Sequence, residues 1–318
     1  MKEQGIGHSH AKIILMGEHS VVYGQPAIAL PLPNVKLTAQ LTANDKGKQL
    51  IESRYFSGAF SQLPEQMKGI HKLINHLMDI FDGHNDGWTL SIKSDLPAER
   101  GMGSSAATAI AIIRAFFEFY GKVLDRETLL QLADIEEKVT HRSPSGLDAA
   151  TVSSTSPIYF IKGEKGTPIT MNLHATMVIA DTGIKGATKE AIDAVKTELS
   201  VNPTKANERI KHLGKLTNQA KDFLNNDEVE KLGITLTTAH QDLVALNVSN
   251  PALDKLVQVA NQNNAFGAKL TGGGRGGCMF AITHTALDAR RLAVILQANG
   301  AQQIWLQPLN ENDMEESY

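Results

Sequence analysis

Apolar and polar positions alternate along several stretches of this chain. Val35, Leu37, Ala39 and Leu41 alternate with polar residues, and Trp88, Leu90 and Ile92 do so ahead of Pro97. Alternation with period two predicts half-buried strands. From Ser104 to about Tyr120 the spacing becomes that of a helix rich in Ala, Ile and Phe. Asp125 predicts the N-cap of a second helix, in which Leu129, Leu132, Ala133, Ile135 and Val139 share one face. Pro144 requires that helix to stop before it.

A short strand is predicted from Ile158 to Ile161, and the polar stretch Lys162–Gly166 marks a domain boundary. The expected division is therefore residues 1–163 and 164–318. A continuous apolar strand follows at Met177–Ala180, with helical segments from about Lys189 to Leu199 and from about Asn207 to Leu246. Asn250-Pro251 breaks the chain before a helix at Leu253–Asn261. Gly272–Gly277 reads as a loop and Cys278–Thr283 as a buried strand. A helix (Ala286–Ala298) and a strand (Gln303–Leu306) close the pattern before an acidic tail. Mixed strands and helices with hairpin-like alternation favour an α+β fold over a doubly wound parallel sheet.

The composition narrows the function. Of 318 residues 42% are hydrophobic and 5% aromatic, enough for a sizeable core built mainly of aliphatic side chains. Lys and Arg number 31 against 34 Asp and Glu, a net charge of −3. Binding to nucleic acid or to a membrane surface through bulk charge is thereby disfavoured, and any anionic ligand needs a local device. The single cysteine, Cys278, excludes an internal disulfide framework and a cysteine zinc site. The N-terminal residues are polar and lack a secretory apolar stretch, so a soluble, cytoplasmic protein is expected.

Four segments carry candidate chemistry. Leu96–Ala107 joins a strand to a helix through Gly101 and Gly103, with Ser104 and Ser105 in the first helical turn. Unpaired N–H groups and the positive end of the dipole make such a turn a phosphate cradle. It is neither a Walker A loop nor a dinucleotide fingerprint, since neither spacing is present. Lys269–Met279 holds five glycines in six positions, more than a simple turn requires, and predicts backbone packed tightly against something. Ala11–Gly24 brackets an apolar strand with Lys12, Glu18 and His19. In Glu137–Asp148, Glu137 and His141 stand four apart on a helix end, and Ser145-Gly146 makes a turn presenting Asp148. Taken singly, each segment also fits an ordinary structural role: a capped turn, a surface loop, a strand edge, an Asx turn. At about 100° per residue, Glu136 falls nearer the centre of its helix's apolar face and Glu137 near its edge. Cys278 is expected to be a small buried side chain and not a nucleophile.

Together, in this order, these segments resemble the GHMP kinase superfamily. Lys12–Gly24 is similar to its first motif, Pro97–Ala107 to its nucleotide loop, and Lys269–Gly277 to its third motif. The Glu137–Asp148 string and the Asp181–Glu190 string resemble the branch that acts on mevalonate. Glu99-Arg100 departs from the Gly and Ala usual in animal members. The resemblance implies a two-lobed α+β fold with the active site in the inter-lobe cleft. It also implies transfer of the ATP γ-phosphoryl group to the 5-hydroxyl of (R)-mevalonate, a step of isoprenoid biosynthesis. The alternatives are another small-molecule kinase of the superfamily, acting on phosphomevalonate or a sugar, and a non-catalytic binding protein of the same fold.

Residue roles follow from the resemblance. Glu99, Arg100, Gly101, Met102, Gly103, Ser104, Ser105 and Ala106 would bind ATP. Ser105 and Glu137 would hold Mg²⁺, the motif being followed over the helical projection that favours Glu136. Asp148 would face the attacking hydroxyl, with Lys12 stabilising developing negative charge. Glu18, His19, Lys185 and Thr188 are candidates for binding mevalonate, and Gly272, Gly273, Gly274 and Gly276 form a structural glycine loop. The implied partners are small molecules, ATP and mevalonate, without nucleic acid or membrane; a homodimer is common in the family.

Overall fold

A computed structural model describes residues 2–44, 47–97, 100–140 and 146–310. The chain forms two compact units that interleave in sequence. The first takes the described parts of residues 1–12, 31–97 and 103–155; the second takes those of 13–30, 98–102 and 156–310.

Strands β1 (Gln4–Met16) and β2 (Ala27–Ala43) pair with each other and contribute residues to both units. In the first unit, β2 is followed by β3 (Gln49–Ser53), β4 (Ser57–Ala59), α1 (Lys68–Phe81) and β5 (Trp88–Ser94). The sheet order there is β4-β3-β5-β2. β5 runs antiparallel to β2, pairing Ala39 with Ile92 and Leu41 with Leu90, and parallel to β3. The predicted alternations in β2 and β5 are the two sides of this pairing. Three helices follow: α2 (Ser104–Phe119), α3 (Arg126–Thr140) and the short α4 (Leu147–Val152). Asp125 caps α3 as expected, its carboxylate accepting from the Thr128 N–H and hydroxyl at 2.8 Å. The expected stop before Pro144 lies outside the described residues.

Periodicity did not anticipate β3, β4, α1, α4 or the first half of β1 in this unit. The helix α1 buries Ile70, Leu73, Ile74, Leu77 and Met78, a spacing of three and four that is a helical signal. The first half of β1 carries no apolar alternation because its inward positions are small. A Cβ on Gly5 would lie 2.3 Å from the Ala115 carbonyl oxygen, and one on Gly7 would lie 1.9 Å from that of Ala111. Ser9 donates to the Ala107 carbonyl at 2.7 Å. Steps of two along the strand thus match steps of four along α2, since two strand residues and four helical ones both span roughly 6–7 Å. Strand β1 lies directly on the backbone of α2, which only Gly and Ser permit.

The second unit contains β6 (Ile158–Phe160), β7 (Thr167–Pro168), β8 (Thr176–Asp181), α5 (Thr188–Val201), α6 (Pro203–Asn225), α7 (Val229–Ala245), α8 (Pro251–Gln262), β9 (Gly267–Leu270), β10 (Cys278–Thr283), α9 (Ala286–Ala298) and β11 (Gln303–Pro308). The start of β2 pairs with β6. A second, antiparallel sheet has the order β11-β8-β10-β9. Every residue of β8, β9 and β10 is buried, so β8 and β10 read as apolar runs without alternation, and β9 buries Lys269 among apolar residues. The single helical segment expected over 207–246 is two helices. Asp227 takes φ 55°, and its carboxylate accepts from the His174 backbone N–H at 2.7 Å, so the turn after Asn225 is fixed by a tertiary contact. No helix among the described residues is long and apolar enough to cross a membrane.

Candidate active site

In the first unit, β1 runs along α2 to the helix N-terminus and delivers Lys12 there. Gly103 caps α2 with φ 76°. A Cβ at Gly103 would lie 2.9 Å from Lys12 Cγ and 3.2 Å from Val152 Cγ1 of α4, so the helix start is pressed against both elements. The Lys12 ammonium lies 2.9 Å from Asp148 Oδ1; the lysine side chain is 5% exposed and the aspartate 34%. Asp148 stands in the first turn of α4, after Gly146 at φ 70°. The predicted pair is therefore in contact, and the carboxylate keeps an open side. Ser104, Ser105 and Ala106 form the first turn of α2, where backbone N–H groups lack intrahelical acceptors.

The Ser105 hydroxyl donates to Glu136 Oε1 at 2.5 Å. Glu136 and Glu137 of α3 are both buried, at 3% and 7% exposure. The carboxylate that meets Ser105 is the one favoured by the helical projection.

In the second unit, Arg100 donates through Nε to both carboxylate oxygens of Asp181 at 3.0 Å, and through Nη2 to the Gly183 carbonyl at 3.1 Å. Gly101 sits against Gly272, and Met102 is buried with its sulfur 3.8 Å from Cys278 Sγ. Glu99 lies outside the described residues. Burial pushes the Cys278 thiol far up, so it stays protonated and unreactive. The glycine loop is packed as its composition predicts. Cβ atoms at Gly273, Gly274 and Gly276 would collide with Thr188 Oγ1, the Val248 carbonyl and the Lys185 carbonyl, at 2.0, 2.1 and 2.5 Å. Lys185 and Thr188 thus stand beside this loop.

Glu18 and His19 follow the end of β1 in the same unit. The Glu18 carboxylate makes a short ion pair with the Lys269 ammonium, at 1% and 0% side-chain exposure. Sequence reasoning missed this partner; the available signal was a lysine inside the otherwise apolar β9. His19 Nε2 donates to the Gly273 carbonyl at 3.0 Å. Burial lowers the His19 pKa to about 4, with Lys269 acting in the same direction, so the ring is neutral near pH 7.

Comparison with known proteins agrees with this geometry. Residues 68–155 match the family described as GHMP kinases N terminal domain, and residues 220–302 match GHMP kinases C terminal. The mevalonate kinase of Thermococcus gammatolerans is 33% identical over 293 residues, covering 86% of this chain and 87% of that protein. The crystal structure of mevalonate kinase from methicillin-resistant Staphylococcus aureus has a TM-score of 0.79 at 33% identity, covering 97% of this chain and 100% of that one. The L. major mevalonate kinase in complex with R-mevalonate has a TM-score of 0.84 at 25% identity, covering 98% and 97%. By sequence and by fold alike, the chain belongs to the GHMP kinase family, within its group of mevalonate kinases.

Proposed function

We propose that this chain transfers the γ-phosphoryl group of ATP to the 5-hydroxyl of (R)-mevalonate, giving 5-phosphomevalonate and ADP in isoprenoid biosynthesis. The observation that carries this reading is the Lys12–Asp148 contact at 2.9 Å beside the first turn of α2. Free N–H groups at a helix start suit the charged oxygens of a nucleotide phosphate. In a loose phosphoryl-transfer transition state the nucleophile needs little activation. Asp148 accordingly accepts a hydrogen bond from the 5-hydroxyl and orients its oxygen toward phosphorus. As the new O–P bond forms and the bond to the ADP oxygen breaks, the hydroxyl proton passes to Asp148. The Lys12 ammonium stabilises the negative charge of this arrangement.

The donor set at Ser105, Glu136 and Glu137 fits Mg²⁺. A hydroxyl and carboxylates are hard oxygen ligands, and Mg²⁺ in kinases typically needs only one or two protein carboxylates beside the substrate phosphates. Ser105 and Glu137 would hold the ion, which supplies charge neutralisation on the phosphates. Glu136, by accepting the Ser105 hydroxyl proton, leaves the Ser105 lone pairs for the metal.

His19 is proposed to contact mevalonate, with Lys185 and Thr188 as further substrate contacts. The Glu18 carboxylate, immediately before His19, is paired with the Lys269 ammonium. A coupled ADP-release assay with mevalonate, phosphomevalonate, homoserine and galactose side by side tests the proposal. Mevalonate should give by far the highest kcat/KM, and faster turnover of any of the other three would overturn it.

A further inference from the structure

His19 has an unusual backbone. Its φ is 58° and its ψ −40°, and Ser20 N–H donates to the Glu18 carbonyl at 2.6 Å. This is a γ-turn of the positive-φ form, which is rare and strained for a residue with a side chain. Such a turn persists only where its surroundings over-determine it. Three contacts do so here. Val21 N–H donates to the Gly17 carbonyl at 3.1 Å, on the far side of the turn. His19 Nε2 donates to the Gly273 carbonyl. The Glu18 carboxylate is paired with Lys269, whose ammonium also donates to the Leu270 carbonyl at 2.7 Å and lies 5.3 Å from the Phe280 ring centre.

An ion pair with both side chains essentially out of water is not an efficient source of stability, because an apolar pair of similar volume commonly does as well. What it provides is direction. The Lys269 ammonium is fixed by the Leu270 carbonyl, and it fixes the residue at which the γ-turn begins. The consequence falls on the imidazole. A carbonyl only accepts, so Nε2 carries the His19 proton and Nδ1 of the neutral ring is an acceptor. Among the described residues nothing donates to Nδ1. A neutral acceptor suits a hydroxyl and not a carboxylate.

We propose that Lys269 is a positioning residue: by holding Glu18 it keeps the His19 turn in place and aims Nδ1 at the hydroxyl of mevalonate that is not phosphorylated. This rests on the reading of His19 as a substrate contact, and the test separates the two. The double variant Glu18→Gln with Lys269→Met removes both charges of the pair. Glu18→Asp keeps both charges but shortens the tether by one carbon, and serves if the double variant does not fold. In each, nitrogen NMR of the His19 ring at pH 7, assigned by its loss in His19→Gln, reports the tautomer. Steady-state kinetics report KM for mevalonate and for ATP.

The ring should lose its fixed Nε2–H tautomer. KM for mevalonate should rise about tenfold, the worth of roughly one neutral hydrogen bond, with KM for ATP nearly unchanged. An unchanged ring signal in a folded variant overturns the positioning role, whatever KM does. A changed ring with an unchanged mevalonate KM upholds the positioning role and overturns His19 as a substrate contact.

Discussion

Lys12 and Asp148, 136 positions apart in the chain, meet at 2.9 Å because β1 lies backbone-to-backbone on α2 and passes the start of that helix at Lys12. A nearly buried ammonium is thereby held against a carboxylate one-third exposed. Asp148→Asn keeps the shape of the side chain and removes its capacity to take a proton. It should lower kcat by at least about a hundredfold, the usual loss for a positioned acid–base group. ATP affinity, measured by calorimetry, should stay within about twofold, a few tenths of a kcal/mol. Near-normal turnover would sink the role given to Asp148.

The two glutamates of α3 are expected to differ. Glu137→Gln should raise the Mg²⁺ concentration needed for half-maximal nucleotide binding by about tenfold, the worth of a lost charged ligand. Glu136→Gln should do so by only about threefold, since an amide oxygen still accepts from Ser105. Magnesium titrations of nucleotide binding decide between them, and the reverse ranking would make Glu136 the ligand.

Gly7→Ala should destabilise the fold without touching the chemistry directly. Its Cβ would fall 1.9 Å from the Ala111 carbonyl oxygen, inside any tolerable contact. Strand or helix must shift, at about 1–3 kcal/mol for overpacking. Urea denaturation measures the loss, and an unchanged midpoint would contradict the close approach of β1 to α2.

Gly103→Ala is expected to impair activity as well as stability. The position has φ 76°, and a Cβ would press on Lys12. Backbone strain of about 1–3 kcal/mol is expected, together with a fall in kcat from the displaced ammonium. Wild-type kcat in a folded Gly103→Ala protein would show that the contact with Lys12 is dispensable.

Stability should decline as the pH falls from about 6.5 toward 4. His19 and His240 each have a folded pKa lowered to about 4 from an ordinary value of 6.5, chiefly by burial. Between those values the unfolded chain binds protons that the folded chain does not, so stability rises with pH across the window and levels off above it. The slope is at most about 1.4 kcal/mol per pH unit for each histidine. Asp125 and Asp227, held low by hydrogen bonds from Thr128 and His174, add their loss only below their ordinary value of 3.8. Urea midpoints at pH 7, 6 and 5 test this, and a flat series would mean the two rings are protonated or exposed in the folded state.

Periodicity along the chain was sufficient for β2, β5, α2 and α3, which bury apolar side chains at the repeat of their own backbone geometry, and unbroken apolar runs marked β8 and β10, which are buried throughout. Lys12, Asp148, Ser105 and the glycine loop stood out through the motifs that resemble the family's, since taken singly each also fits an ordinary structural role. Tertiary structure decided the rest. The first half of β1 is invisible to hydropathy because it buries backbone through Gly5 and Gly7. Glu18 stands in the sequence as a candidate substrate contact, and its pairing with Lys269 across 251 positions is made only by folding. The choice between Glu136 and Glu137 at Ser105 depends on how α3 is rotated against α2. Local sequence records which groups are present and which face of an element they share; the partner each one meets is set by packing between elements far apart in the chain.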